Sequence, residues 1–161
     1  RTDVLHAQLI LGDARQTIQP LLQSGFQADA IFLDPFSPPT CPQLWTVEFL
    51  SQVSRCLRST GYLATYSCSA AVRAALLESG LQIGSTTPVG RRSPGTAARL
   101  MTASFPPLSQ KEQEHLQTRA AIPYRDPTLS DCAPIILQRR QHEQQMSQLE
   151  SSSTWKKRWL S

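Results

Sequence analysis

The chain has 161 residues, 40% of them hydrophobic, which suits one domain of ordinary size with a buried core. A mean hydropathy of −0.29 and the lack of any apolar run near about 18 residues exclude a membrane-spanning helix, and no basic-then-apolar leader opens the sequence. The net charge of +4 is uneven, with five Lys/Arg against six acids in residues 1–90 and eleven against six in residues 91–161. A polyanionic partner met from the rear half and a merely solvated basic surface both fit that asymmetry. Cys41, Cys56, Cys68 and Cys132 stand singly, and His6, His115 and His142 are equally dispersed. A metal site or a disulfide framework is therefore not expected, and a reducing cytoplasm is.

Val4 to Leu11 reads as a strand ending at Gly12-Asp13, and Ile18, Leu21 and Leu22 give a helix over 14–24 closed by Gly25. Ala28 to Leu33 is a short apolar run of the kind found in buried parallel strands. Asp34 ends it, and a proline-rich loop follows. Phe49, Leu50, Val53 and Leu57 share a helical face within 45–57, and Gly61 precedes a third strand over 62–67. Ala70 to Glu78 is an alanine-rich helix ending at Gly80, while 81–86 and 99–104 form a final strand pair around a Gly/Pro/Arg loop. This alternation predicts an α/β sheet with crossover connections, whose ligands sit at the carboxyl ends of its strands.

The character changes at Pro106-Pro107. Ser109-x-x-Glu112 is a capping box opening a polar helix to about Ala121, Pro123 to Pro127 is a turn, and a glutamine-rich helix runs from Pro134 to about Leu149. Ser151 to Ser153 reads as a flexible joint before Trp155-Lys156-Lys157-Arg158-Trp159. Residues 1–105 are thus expected to form the α/β part, with 106–161 a polar helical extension and basic tail lying outside the core.

The chemistry-bearing residues fall at strand ends. Asp34, followed by Pro35-Phe36-Ser37-Pro38, is similar to the Asp/Asn-Pro-Pro-aromatic loop of amine methyltransferases, where a carboxylate orients a nitrogen lone pair between rigid prolines and an aromatic wall. Asp34 serves equally well as a cap or turn residue. Asp13 after Gly12 can accept from an adenine amine or ribose hydroxyl, or simply cap the following helix. Arg91 and Arg92 fit a phosphate clamp or a solvated loop. Trp155 and Trp159 lie on one helical face, suited to stacking on nucleic-acid bases or to docking on the protein's own core.

Residues 28–45, 61–67 (Gly-Tyr-Leu-Ala-Thr-Tyr-Ser), 71–80 and Gly90-Arg91-Arg92 occur in an order that resembles the methyltransferase domain of MnmC-type tRNA-modifying enzymes. The resemblance covers roughly residues 5–104, and Asp-x-Phe-x-Pro…Pro-x-Leu-Trp is its most specific part. It implies a class I, Rossmann-like S-adenosylmethionine-dependent methyltransferase sheet. The implied reaction is N-methylation of the aminomethyl group on a tRNA wobble uridine. A separate oxidoreductase acting earlier on the same uridine is an implied partner, and the extension is similar to that of stand-alone family members without an oxidase domain. By the resemblance, Asp34 holds the substrate amine, Pro35, Phe36 and Tyr66 shape its pocket, Arg91 and Arg92 meet tRNA, and Gly12 and Asp13 contact the cofactor. The seven glycines form no Gly-x-Gly, so residues 4–11 are expected to be the family's third strand, with the first two upstream of Arg1 and little cofactor binding by these residues alone. Other readings are an aminopropyltransferase of the spermidine synthase kind and a non-catalytic RNA-binding module.

Overall fold

The computed structural model describes residues 4–90, 92–100 and 107–159. Three of its strands, β1 (Ala28–Phe32), β2 (Leu57–Thr65) and β3 (Leu81–Ser85), run parallel, and β4 (Thr96–Leu100) inserts antiparallel between β2 and β3, giving the order β1-β2-β4-β3. α1 (Ala14–Gln23) precedes β1, α2 (Val47–Arg55) crosses from β1 to β2, and α3 (Ala70–Glu78) crosses from β2 to β3. The mixed α/β architecture is the one expected.

Ile31, Leu63, Ala98 and Ile83 lie in one cross-strand row on the face covered by α2 and α3. Helix α2 buries Val47, Phe49, Leu50 and Val53 there, its first turn closed by the Thr46 hydroxyl accepting from the Phe49 N–H. Helix α3 presents Ala70, Ala71 and Ala75, small enough to let its axis lie close to the strands.

Three features differ from what the sequence predicts. No strand forms at 4–11, where Val4, Leu9 and Leu11 are exposed, because no neighbouring strand among the described residues supplies a ladder beside β1. β1 is not buried on both faces: it is an edge strand, and Phe32 on the face away from α2 and α3 is 84% exposed. Residues 107–159, expected to lie outside the core, do not stand apart from it. Leu108, Tyr124 and Ile136 belong to the same hydrophobic cluster as the sheet, and the Val47 N–H donates to the Tyr124 carbonyl.

That C-terminal part is helical, with α4 (Gln110–His115), α5 (Ala133–Met146) and α6 (Ser152–Trp159). The predicted capping box is present at Ser109 and Glu112. Two ion pairs tie it down. Arg15 NH1 lies 2.7 Å from the Asp126 carboxylate, which is fully buried and also accepts from the Ser130 and Asp131 N–H groups. The almost fully buried Arg73 of α3 lies 2.9 Å from Glu112 and donates to the Thr96 hydroxyl. Pairing both partners is what makes such charges tolerable away from water.

Candidate active site

The β1–β2 ladder continues one residue past β1, where the Leu33 N–H donates to the Ala64 carbonyl at 2.9 Å. Asp34 therefore emerges from the carboxyl edge of the sheet, beside Tyr66 at the end of β2. The loop that follows is held by aromatic donors. The Tyr66 hydroxyl donates to the Pro35 carbonyl at 3.0 Å, and the Trp45 indole N–H donates to the Phe36 carbonyl at 2.8 Å. The two rings meet edge to face at 6.1 Å, with Trp45 wholly buried. Thr40 and Cys41 close a turn by donating from their N–H groups to the Ser37 carbonyl.

These contacts leave a cavity of about 650 Å³, lined by Asp34, Pro35, Phe36, Ser37, Cys41, Leu44 and Tyr66. Its size suits a nucleoside-sized ligand. Among the described residues, Asp13, Asp29, Asp126 and Asp131 each pair with an arginine, whereas no donor reaches the Asp34 carboxylate. Nor does Asp34 cap a helix, since Thr46 closes the first turn of α2. An exposed acceptor without a partner, at the mouth of a cavity on a braced loop, is positioned to take a hydrogen from a ligand.

The sequence brought four expected residues to this cavity: Asp34, Pro35, Phe36 and Tyr66. It did not reveal the bracing role of Trp45, although that residue closes the Pro-x-Leu-Trp segment, nor the lining by Cys41 and Leu44. Gly12 and Asp13 are not part of the lining. Gly12 has φ +145°, and a Cβ there would come within 2.8 Å of Thr17 Cγ2. The Asp13 carboxylate caps α1 and takes the Arg15 Nε and NH2 groups, NH2 at 2.7 Å; that guanidinium holds it below its usual pKa despite partial burial. Its side chain remains 42% exposed.

Arg92 lines a second cavity, of about 610 Å³, between the 86–95 loop and the C-terminal helices; Arg91 lies outside the described residues. Trp155 is in the same wall. Its indole stacks on His115 at 4.1 Å with the rings 11° apart, and its N–H donates to the Lys111 carbonyl. Trp159 donates to Glu114. The aromatic tail thus docks on the protein itself. Burial, with Arg73 and Lys156 nearby, lowers the His115 pKa and favours the neutral ring in that stack.

Residues 1–101 match the sequence pattern of a family described as S-adenosyl-L-methionine-dependent methyltransferases. The chain belongs to this methyltransferase family. It is similar to the crystal structure of MnmC2 from Aquifex aeolicus, with a TM-score of 0.82 and 35% identity over 91% of this chain and 48% of that one. An uncharacterised protein of Methanocaldococcus jannaschii is 29% identical over 148 residues, 90% of this chain and 40% of that protein. The tRNA 5-methylaminomethyl-2-thiouridine biosynthesis bifunctional protein MnmC of Ralstonia nicotianae is 39% identical over 94 residues, 58% of this chain and 14% of that protein. The chain therefore spans less than half the length of each.

The family's cofactor is S-adenosylmethionine. The described residues fit the reactive end of that cofactor, where a braced acceptor and an aromatic wall meet at the Asp34 cavity. Among the described residues no group of three His, Cys, Asp or Glu gathers closely enough to hold a metal ion, and no helix is long and apolar enough to cross a membrane.

Proposed function

We propose that the protein serves S-adenosylmethionine-dependent N-methylation of the aminomethyl group on a tRNA wobble uridine. The unpartnered Asp34 carboxylate at the mouth of the braced cavity carries this reading. The MnmC names of the similar proteins support the substrate assignment. The cofactor, when bound, supplies an electrophilic methyl group. Attack needs a neutral amine with its lone pair free, so Asp34 accepts one N–H hydrogen and turns the lone pair toward the donor. On transfer of that methyl group from sulfur the amine nitrogen would become positively charged; Asp34 would stabilise that charge and take the proton or pass it to solvent. Tyr66 and Trp45 hold the Pro35 and Phe36 carbonyls, and so keep Asp34 in register with the ligand.

Phe36 forms the rim of the pocket, against which a pyrimidine can rest. Gly12 and Asp13 are assigned to the adenine end, with Arg15 fixing the carboxylate's direction, and Arg91 and Arg92 to tRNA. A separate oxidoreductase would act before this step on the same uridine, and a tRNA substrate would place the work in the cytoplasm. Aminopropyl transfer to a polyamine would call for several acids around the pocket; among its lining residues Asp34 is the one carboxylate. The test is Asp34→Ala in the full-length enzyme. Methyl transfer to tRNA should fall by about 10²-fold or more while cofactor affinity changes little. Near-normal turnover would refute the assignment.

A further inference from the structure

The strand register places a second feature on the same edge of the sheet as Asp34. Phe32 of β1 pairs with Ala64 of β2, Thr65 with Thr96 of β4, and Thr96 with Ser85 of β3. The loop from 86 to 95 therefore leaves the sheet from β3 and returns to β4 at the edge that carries Asp34, three and two strand spacings from β1, or about 14 and 10 Å. Gly95 anchors its return, for a Cβ there would stand 2.6 Å from the Thr65 carbonyl oxygen. Tyr66 lines the Asp34 cavity and Cys68 the second cavity, so one short segment, 66–68, borders both.

The second cavity adjoins a smaller one of about 310 Å³, and Lys111 and Trp155 line both. Three exposed cations surround this cleft: Arg92 from the loop, Lys111 from α4 and Lys156 from α6. Among the described residues none of the three pairs with a carboxylate. Of the other C-terminal cations, Arg125 pairs with Glu78, Arg139 with Asp131 and Arg158 with Glu150 and Glu114, while Arg119 and Arg140 donate to backbone carbonyls away from the cleft. The acids nearest the cleft are already engaged. Glu112, itself in the cleft wall beside Arg73, is held by Arg73, Ser85 and Ser109, and Glu114 by Arg158 and Trp159. The positive field at the mouth is thus left for an outside anion.

We propose that this cleft holds the phosphodiester backbone of the RNA whose modified base enters the Asp34 cavity. This rests on the tRNA reading above. It adds a surface built jointly by the 86–95 loop and the C-terminal helices, with Lys111 and Lys156 as contacts. Because Trp155 is stacked on His115 and Trp159 is bonded to Glu114, the tail contributes charge and not base stacking. The surface grips backbone without reading sequence, and its binding is salt-dependent. The Arg73–Glu112 pair and the Trp155 indole hold the two helices in place, so the three cations are set out before RNA arrives.

The experiment measures tRNA affinity of the full-length enzyme against salt for the wild type and for Arg92→Ala/Lys111→Ala/Lys156→Ala. The variant should bind more weakly, and the slope of log affinity against log salt should shrink by about 2 to 3. Lys111→Arg/Lys156→Arg should keep the wild-type slope. Lys157→Ala removes the same charge from the next position of α6, outside both cavities, and should change the slope less than Lys156→Ala. An unchanged slope in the triple variant overturns the proposal. So does equal loss from Lys157→Ala and Lys156→Ala, which means diffuse charge, or a loss confined to binding of phosphatidylserine vesicles. Failure of the functional reading itself looks different: wild-type enzyme that binds tRNA with the full slope but transfers no methyl group.

Discussion

The carboxylate of Glu112 offers a sharp test of how the C-terminal helices are fastened to the sheet. Burial opposes its charge. The Ser109 hydroxyl and N–H, the Ser85 hydroxyl and the Arg73 guanidinium more than offset that, holding its pKa at about 2 against an ordinary 4.5. Its side chain is 19% exposed, so solvent screens the interaction only modestly. A depression of that size corresponds to about 3 kcal/mol of stability. Because the folded-state pKa lies below the unfolded one, the contribution is whole above pH 4.5 and drains away as pH falls toward 2. Glu112→Gln removes it at every pH and leaves Arg73, almost fully buried, without its counter-charge, a loss of about 3 kcal/mol or somewhat more at pH 7. Urea unfolding of both proteins between pH 7 and pH 2.5, followed by tryptophan fluorescence, gives the difference between the two stability curves. That difference should be flat down to about pH 5 and close steadily below it. Parallel curves across the acid range would refute the reasoning, since other carboxylates titrate equally in both proteins.

Tyr66→Phe removes the donor to the Pro35 carbonyl; it should cost about 1 kcal/mol of stability by thermal melting but lower kcat for methyl transfer more than that loss implies. Gly95→Ala drives a methyl group against the Thr65 carbonyl and should destabilise by about 1–3 kcal/mol in denaturant unfolding. Asp126→Asn strips a buried charge from Arg15; hydrogen exchange should quicken in the segment 126–131 and in α1 before it does in β2.

What the sequence made legible follows from range. Helix α3 is read to the residue, and the Ser109–Glu112 box is read correctly, because both signals are local. Asp34 is legible as a strand-end carboxylate because the apolar run before it is short and sharply ended. Residues 4–11 carry the same apolar signal, yet a strand exists only where a neighbour shares its hydrogen bonds, and that depends on chain far away in sequence. β4 begins at Thr96, earlier than its apolar pattern suggests, because pairing with both β2 and β3 fixes it. The glutamine-rich α5 looks solvated throughout, but Ile136 is wholly buried in the main cluster. The Trp-rich tail is ambiguous in sequence for a similar reason: whether an indole stacks on a base or on His115 depends on which surface is nearer. Trp45 hides its role because the carbonyl it braces lies nine residues back, on another turn of chain.

The two buried ion pairs give that C-terminal part a meaning its composition conceals. Asp126 reaches Arg15, which in turn fixes Asp13 at the head of α1, while Glu112 reaches Arg73, which bonds Thr96 at the base of the 86–95 loop. Each pair joins the C-terminal part, Asp126 from the turn before α5 and Glu112 from α4, to one of the loops assigned to a ligand. Charges in such positions bring little net stability over well-packed apolar residues, but they demand one geometry, since either partner left alone is costly. These contacts constrain orientation: one sets the direction of the Asp13 carboxylate, the other the position of the strand end from which the loop bearing Arg92 departs. Separating the two parts of the chain would expose four charges, Arg15, Arg73, Glu112 and Asp126, that exist in the fold only as pairs or networks.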